Sequence, residues 1–122
     1  MGRASYAVLY AVARVILEAG SSLIVESNFV RGTSEQELSP LMREGEALLI
    51  HCQTTRDLIA RRVRSRAGRH PQHPDDVDEV LQAVDAHRHD PLELRFPLLI
   101  VDTSEGYRPG LDEVLRFCRG DI

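Results

Sequence analysis

Lysine is absent from the sequence, and all fifteen basic residues are arginine. Any mechanism that needs a lysine side chain must therefore take it from elsewhere. Cysteine is scarce, and Cys52 and Cys118 lie in apolar segments without CxxC spacing, which predicts two reduced thiols in the core. No apolar run approaches the roughly 20 residues of a membrane-spanning helix, and no signal-peptide cleavage pattern follows the apolar-rich first segment. These absences predict a cytoplasmic chain with no membrane partner.

What is present is the composition of a globular domain. The chain has 122 residues, of which 43% are hydrophobic and 28% charged. One compact domain over residues 1–122 is therefore expected. The formal net charge of −4 argues against general nucleic-acid binding through overall charge.

Apolar residues at three-and-four spacing predict five helices. The predicted ranges are 6–19, 34–45, 54–67, 74–86 and 109–117. Gly20 is placed to end the first helix as a left-handed cap. Ser34 with Glu37, and Thr54 with Asp57, have the spacing of capping boxes at the starts of the second and third helices.

Three short apolar runs predict buried strands, because each is unbroken rather than alternating. These runs cover residues 23–25, 47–50 and 97–101. Strands buried on both faces predict a three-layer α/β fold with at least three parallel strands. Ligands of such sheets bind outside the carboxyl ends of the strands. The polar segments 26–28, 51–53 and 102–104 follow those ends and are expected to converge.

Four segments together suggest a family. They are Leu-Ile-Val-Glu-Ser-Asn-Phe at 23–29, Leu-Ile-His-Cys at 49–52, an arginine-rich helix running into Gly-Arg-His-Pro at 68–71, and Ile-Val-Asp-Thr-Ser at 100–104. In order and spacing they resemble small P-loop kinases of the zeta-toxin-like and polynucleotide-kinase-like type, and the likeness covers about residues 6–107. The resemblance implies an ATP-dependent kinase, with Mg²⁺, whose acceptor is a small molecule, a nucleotide or a nucleic-acid end.

The resemblance also implies site residues. Glu26 would be a catalytic carboxylate that holds Mg²⁺ through phosphate or water. The segment 54–74 resembles the lid, in which Arg62 and Arg66 would close over the nucleotide phosphates. These two arginines are four residues apart and edge the apolar stripe, whereas Arg61 and Arg64 are expected to point to water. The implied nucleotide-binding residues are Asn28, Arg69, Thr103 and Ser104.

The element that defines this family is missing from the chain. A phosphate-binding loop of the form GxxxxGK[ST] needs glycines for close backbone approach and a lysine, and the sequence has neither this pattern nor any lysine. The chain is therefore expected to correspond to the C-terminal two-thirds of such a kinase, with the loop upstream of Met1, and to be inactive alone. It is expected to bind neither ATP nor Mg²⁺ tightly by itself. A truncated reading, a decayed copy and completion by another polypeptide all remain open, as does a homodimer.

Two other functions are open at this point. One is a non-enzymatic interaction domain on a degenerate kinase scaffold, pairing through an exposed strand edge. The other is a metalloenzyme, since imidazole and carboxylate are common metal ligands. The residues for that hypothesis are His70, His73, His87 and His89 with Asp75, Asp76, Asp85 and Asp90.

Overall fold

A computed structural model describes residues 2–66 and 76–121 of the chain. Within these residues there are five helices and two strands. The elements are α1 (Arg3–Glu18), α2 (Glu35–Met42), β1 (Leu49–Gln53), α3 (Arg56–Arg66), α4 (Val77–Asp85), β2 (Leu98–Asp102) and α5 (Leu111–Cys118). The fold is mixed α/β, as the sequence predicts. None of the described helices is both long and apolar enough to cross a bilayer.

The sheet consists of β1 and β2, which pair in parallel. In the register, Leu49 lies opposite Leu98 and Gln53 lies opposite Asp102. Parallel strands cannot be joined by a tight hairpin, and the connection between these two carries α3 and α4. Two of the predicted strands and their parallel orientation are thus confirmed. The bounds of β1 are displaced by about two residues and those of β2 by one.

The predicted strand at 23–25 is wrong. Residues 21–30 form neither helix nor strand, and Ile24 is 96% exposed. A strand exists only by hydrogen bonding to a neighbouring strand. Among the residues that the structure describes, none pairs with this segment, so its branched side chains are not sufficient to make it a strand.

The expectation that both faces of the strands are buried is also wrong. Ile50 is 44% exposed, and Leu98 and Ile100 on the other face are each 41% exposed. Val101 is the buried exception, at 3%. The prediction of core thiols fails as well, because Cys52, on the same face as Ile50, is exposed, and so is Cys118 at the end of α5.

The helix ends follow local hydrogen bonding. Gly20 has φ +83°, as expected for a left-handed cap after α1. Neither predicted capping box forms. At the start of α2, the Ser34 hydroxyl accepts from the Val30 N–H (2.8 Å) and caps no N–H group of the helix. At the start of α3, the cap is the Thr55 hydroxyl, which accepts from the Leu58 N–H (3.3 Å). At the start of α4, Asp76 caps two N–H groups at 3.0 and 3.3 Å. The predicted first helical residue, Pro74, lies outside the described residues.

The chain divides into two compact units. Unit one comprises Met1–Ala47 and His89–Arg95. Its buried apolar residues are Ala13, Leu38 and Leu41, where α1 packs on α2. Arg31 forms ion pairs with Asp90 (3.3 Å) and Glu93, which tie the segment before α2 to residues 89–95.

Unit two comprises Leu48–Arg88 and Phe96–Ile122 and contains the sheet. Its buried apolar residues are Ala60 and Val63 of α3, Leu81 of α4, Val101 of β2 and Phe117 of α5. The two helices α3 and α4 pack against each other. An Arg56–Asp85 ion pair with two hydrogen bonds, at 2.8 and 2.9 Å, joins them at the surface. Unit two therefore places the carboxyl ends of both strands and the arginine-rich helix in one compact body.

Candidate functional site at the carboxyl ends of the strands

Polar groups gather where β1 and β2 end. The strand-end cluster consists of Gln53, Thr54, Asp102, Thr103 and Ser104. The Thr103 N–H and hydroxyl both donate to the Gln53 carbonyl oxygen, at 2.9 and 3.2 Å, and the Thr54 and Ser104 hydroxyl oxygens lie 3.0 Å apart. The structure thus brings together two of the three polar segments that were expected to converge.

Arg62 contacts this cluster from α3. One guanidinium nitrogen donates to the Thr103 hydroxyl (3.2 Å) and another to the Thr103 carbonyl oxygen (2.5 Å). A guanidinium has further N–H groups that these two bonds leave available. The cluster therefore carries one oriented positive charge beside several hydroxyl groups, a combination suited to phosphate oxygens.

Asp102 is the negative member of the cluster. The Ser104 side chain, then the Ser104 backbone N–H (2.8 Å), lower the pKa of the Asp102 carboxyl below its ordinary value of 3.8, with smaller contributions from Arg108 and Arg62. An ionised carboxylate only accepts hydrogen bonds, so the Ser104 hydroxyl donates to Asp102. The Ser104 oxygen is then left to accept from Thr54, which orients both hydroxyls along one chain of donors.

This orientation predicts a pH dependence. Because the folded-state pKa of Asp102 is lowered, its hydrogen bonds stabilise the fold above the ordinary pKa and that contribution is lost as the pH falls through the folded-state value. We expect the Asp102 carboxyl carbon, followed by NMR, to titrate below 3.8. Ser104→Ala should move the pKa upward, and Thr54→Ala should move it less. An unperturbed pKa in the wild-type chain would contradict the assignment.

The other predicted site residues lie elsewhere or outside the described part. Glu26 and Asn28 belong to unit one, in the irregular segment, where Glu26 is exposed and the Asn28 carbonyl accepts from the Tyr6 hydroxyl (2.7 Å). Glu26 therefore does not follow a strand, contrary to prediction. Arg66 is the last residue of α3. Arg69 lies outside the described residues.

Among the described residues, histidine and aspartate side chains form no metal-binding cluster. Within residues 2–66 and 76–121, no three His, Cys, Asp or Glu side chains lie close enough together to hold a metal ion. The hypothesised ligands His70, His73 and Asp75 lie outside that part of the chain. Asp85 is bound by Arg56, which lowers the pKa of its carboxyl.

One feature of unit two has no counterpart in the predictions. An open cavity of about 340 Å³ lies between α3 and α4. It is lined by Arg56, Asp57, Ala60, Arg61, Arg64 and Leu81. The helical pattern of α3 placed its arginines at the surface, but the spacing within one helix cannot reveal a cavity that a second helix completes.

The strand-end cluster lies where parallel α/β sheets usually bind their ligands, outside the carboxyl ends of the strands. A search of solved structures finds similarity to the 1.70 Å crystal structure of a "putative kinase" from Chloroflexus aurantiacus J-10-fl, with a TM-score of 0.78 and 30% sequence identity. The match covers 98% of this chain and 68% of that one. This chain belongs to the same family as that protein, and its fold is kinase-like.

Other comparisons add no further relative. No protein-family model matches the sequence, and a search of curated proteins finds no match either.

Proposed function

We propose that this chain is part of an ATP-dependent kinase that transfers phosphate to a small molecule, a nucleotide or a nucleic-acid end. The observation that carries the proposal is the similarity to the Chloroflexus protein, which extends over nearly the whole chain at 30% identity. Fold similarity alone would leave the activity open. The strand-end cluster supplies the second support, because its position and chemistry suit a phosphorylated ligand.

In this proposal the nucleotide phosphates lie at the carboxyl ends of β1 and β2. Arg62 would donate to phosphate oxygens through the N–H groups that its bonds with Thr103 leave available. The Thr103 and Ser104 hydroxyls donate to Gln53 and Asp102 and so would hold this segment in place beside the ligand. Phosphoryl transfer needs mainly positioning and neutralisation of charge, which fixed donors of this kind provide. Arg66 and Arg69 would add to the positive charge from the lid segment 54–74.

We further propose that the kinase is of the P-loop type and that residues beyond these 122 supply the loop. The sequence has no lysine and no GxxxxGK[ST] pattern to neutralise the β- and γ-phosphates. It follows from this proposal that the chain is inactive alone.

Mg²⁺ belongs to the same proposal. Mg²⁺ prefers oxygen ligands and is usually held by one or two carboxylates together with substrate phosphates. Glu26, with Asn28 two residues later, offers the carboxylate and amide oxygens for it. When bound, Mg²⁺ would neutralise charge on the transferred phosphate. Without the phosphates of a bound nucleotide, a single exposed carboxylate is a weak site.

Calorimetric titration with ATP, with and without Mg²⁺, tests the proposal. We expect weak binding, with a Kd of about 1 mM or above, and an at least roughly tenfold loss in Arg62→Ala, since the charge-assisted bonds of its guanidinium are removed. Arg116→Ala is the matched control, because Arg116 is an exposed arginine of α5 in the same unit. Equal binding by all three chains would argue against a nucleotide site at the strand ends.

The exposed apolar side chains favour a second candidate, the interaction domain. Val8, Val12 and Val15 of α1 are 62%, 52% and 65% exposed, and they lie along one side of that helix. Exposed apolar stripes of this kind commonly mark contact surfaces. A chain that binds no nucleotide under any condition and forms dimers in sedimentation equilibrium would favour this function over the kinase.

A further inference from the structure

The helix α3 carries arginines that the strand-end cluster does not use. Arg61 and Arg64 are exposed, and neither forms an ion pair or a hydrogen bond through its side chain with any residue in 2–66 or 76–121. Successive residues are about 100° apart around a helix. The direction midway between the Arg61 and Arg64 side chains therefore lies about 130° around α3 from the direction of Arg62. The two arginines therefore serve a different side of α3 from the one that contacts Thr103.

That side forms the wall of the α3–α4 cavity. Ala60 and Leu81, which are only 6% and 9% exposed, are its most deeply buried lining residues and give it an apolar base. Arg61, Arg64 and Asp57 stand at the exposed rim. The cavity has a volume of about 340 Å³ and is open to solvent.

The charge of the lining is positive. Arg56 is held by both oxygens of Asp85, which fixes its position and neutralises it. Asp57 is the one carboxylate among the lining residues, against the two unbound guanidinium groups of Arg61 and Arg64. Guanidinium groups bind phosphate oxygens with two parallel hydrogen bonds, and a carboxylate accepts from hydroxyl groups.

We propose that this cavity binds a small phosphate monoester bearing hydroxyl groups, of the size of a pentose phosphate. Arg61 and Arg64 hold the phosphate, Asp57 accepts from a sugar hydroxyl, and Ala60 and Leu81 contact the carbon skeleton. The site does not depend on the proposed kinase function, because its lining includes neither Arg62 nor any member of the strand-end cluster.

Ribose 5-phosphate, inorganic phosphate and unphosphorylated ribose are the probes, titrated into the full 122-residue chain and followed by amide chemical shifts. We expect ribose 5-phosphate to bind most tightly and to shift the amides of α3 and α4. The double variant Arg61→Ala/Arg64→Ala should weaken it at least about tenfold. Arg116→Ala/Arg119→Ala, which removes the same charge from the end of α5, should leave the affinity within about twofold.

Two further variants separate the parts of the site. In Asp57→Ala, ribose 5-phosphate should bind no more tightly than inorganic phosphate, because the carboxylate that accepts from the sugar hydroxyl is gone. Arg62→Ala should remove only the shifts that phosphate causes at the strand ends and should leave those of α4, which distinguishes this site from the strand-end site. Equal losses in the two double variants would overturn the proposal, because they would indicate general attraction to positive charge, and so would the absence of shifts in α3 and α4.

Discussion

Purified free of other enzymes, the 122-residue chain is expected to transfer no phosphate from Mg²⁺-ATP, whereas kinases typically turn over at roughly 1–100 s⁻¹. The physical reason is an electrostatic deficit. No lysine and no GxxxxGK[ST] pattern are present to hold the β- and γ-phosphates. In the proposed site, the single positive charge of Arg62 would offset only part of the charge of a triphosphate. Release of phosphate from γ-labelled ATP, with and without added hydroxyl acceptors, measures this directly.

The control for that assay is a heat-denatured sample of the same preparation. A rate above this control that falls in Arg62→Ala but not in Arg116→Ala would contradict the prediction of inactivity while supporting a phosphate site. A rate that neither substitution changes would indicate a contaminant and calls for repurification. Reading the coding DNA upstream of Met1 provides the companion observation, because the proposal expects an in-frame GxxxxGK[ST] there.

The largest effect on stability is expected at Phe117. Its side chain is only 8% exposed in the small core of unit two, and removing a buried phenylalanine ring costs about 3–5 kcal/mol. That is a large part of the roughly 5–15 kcal/mol by which domains are stable. Urea denaturation of Phe117→Ala, followed by circular dichroism, should show a much lower midpoint or an unfolded chain.

Leu111→Ala is the matched control on the same helix. Leu111 is 69% exposed, so its truncation should change the free energy of unfolding by no more than about 0.5 kcal/mol. If the two substitutions had equal effects, Phe117 would not be a core residue and the packing of α5 in unit two would be wrong.

The parts of the fold that the sequence predicts are those decided by local pattern. The unbroken run before Asp102 is recognisable as β2 because nothing polar interrupts it. The bounds of β1 are displaced because the strand continues to Gln53, as far as its pairing with β2 continues. Residues 23–25 have the same kind of composition but no partner strand among the described residues. Strand pairing is a long-range property that an apolar run alone does not report.

The candidate site divides in the same way. Its position at the ends of the strands follows from the rule for parallel sheets, so segments 51–53 and 102–104 could be named in advance. The contact of Arg62 with Thr103 spans 41 residues of sequence, and the Arg56–Asp85 pair spans 29. Such contacts depend on how helices pack on strands and on each other. The cavity between α3 and α4 is hidden from sequence for the same reason.

The central claim is that the phosphates of a nucleotide are held at the carboxyl ends of β1 and β2. Amide chemical-shift mapping with Mg²⁺-ATP in millimolar excess tests it most directly. The predicted result is a set of shifts at Gln53, Thr54, Thr103 and Ser104 that disappears in Arg62→Ala and persists in Arg116→Ala. If the chain binds ATP but the amide signals of those four residues do not shift, the central claim is contradicted.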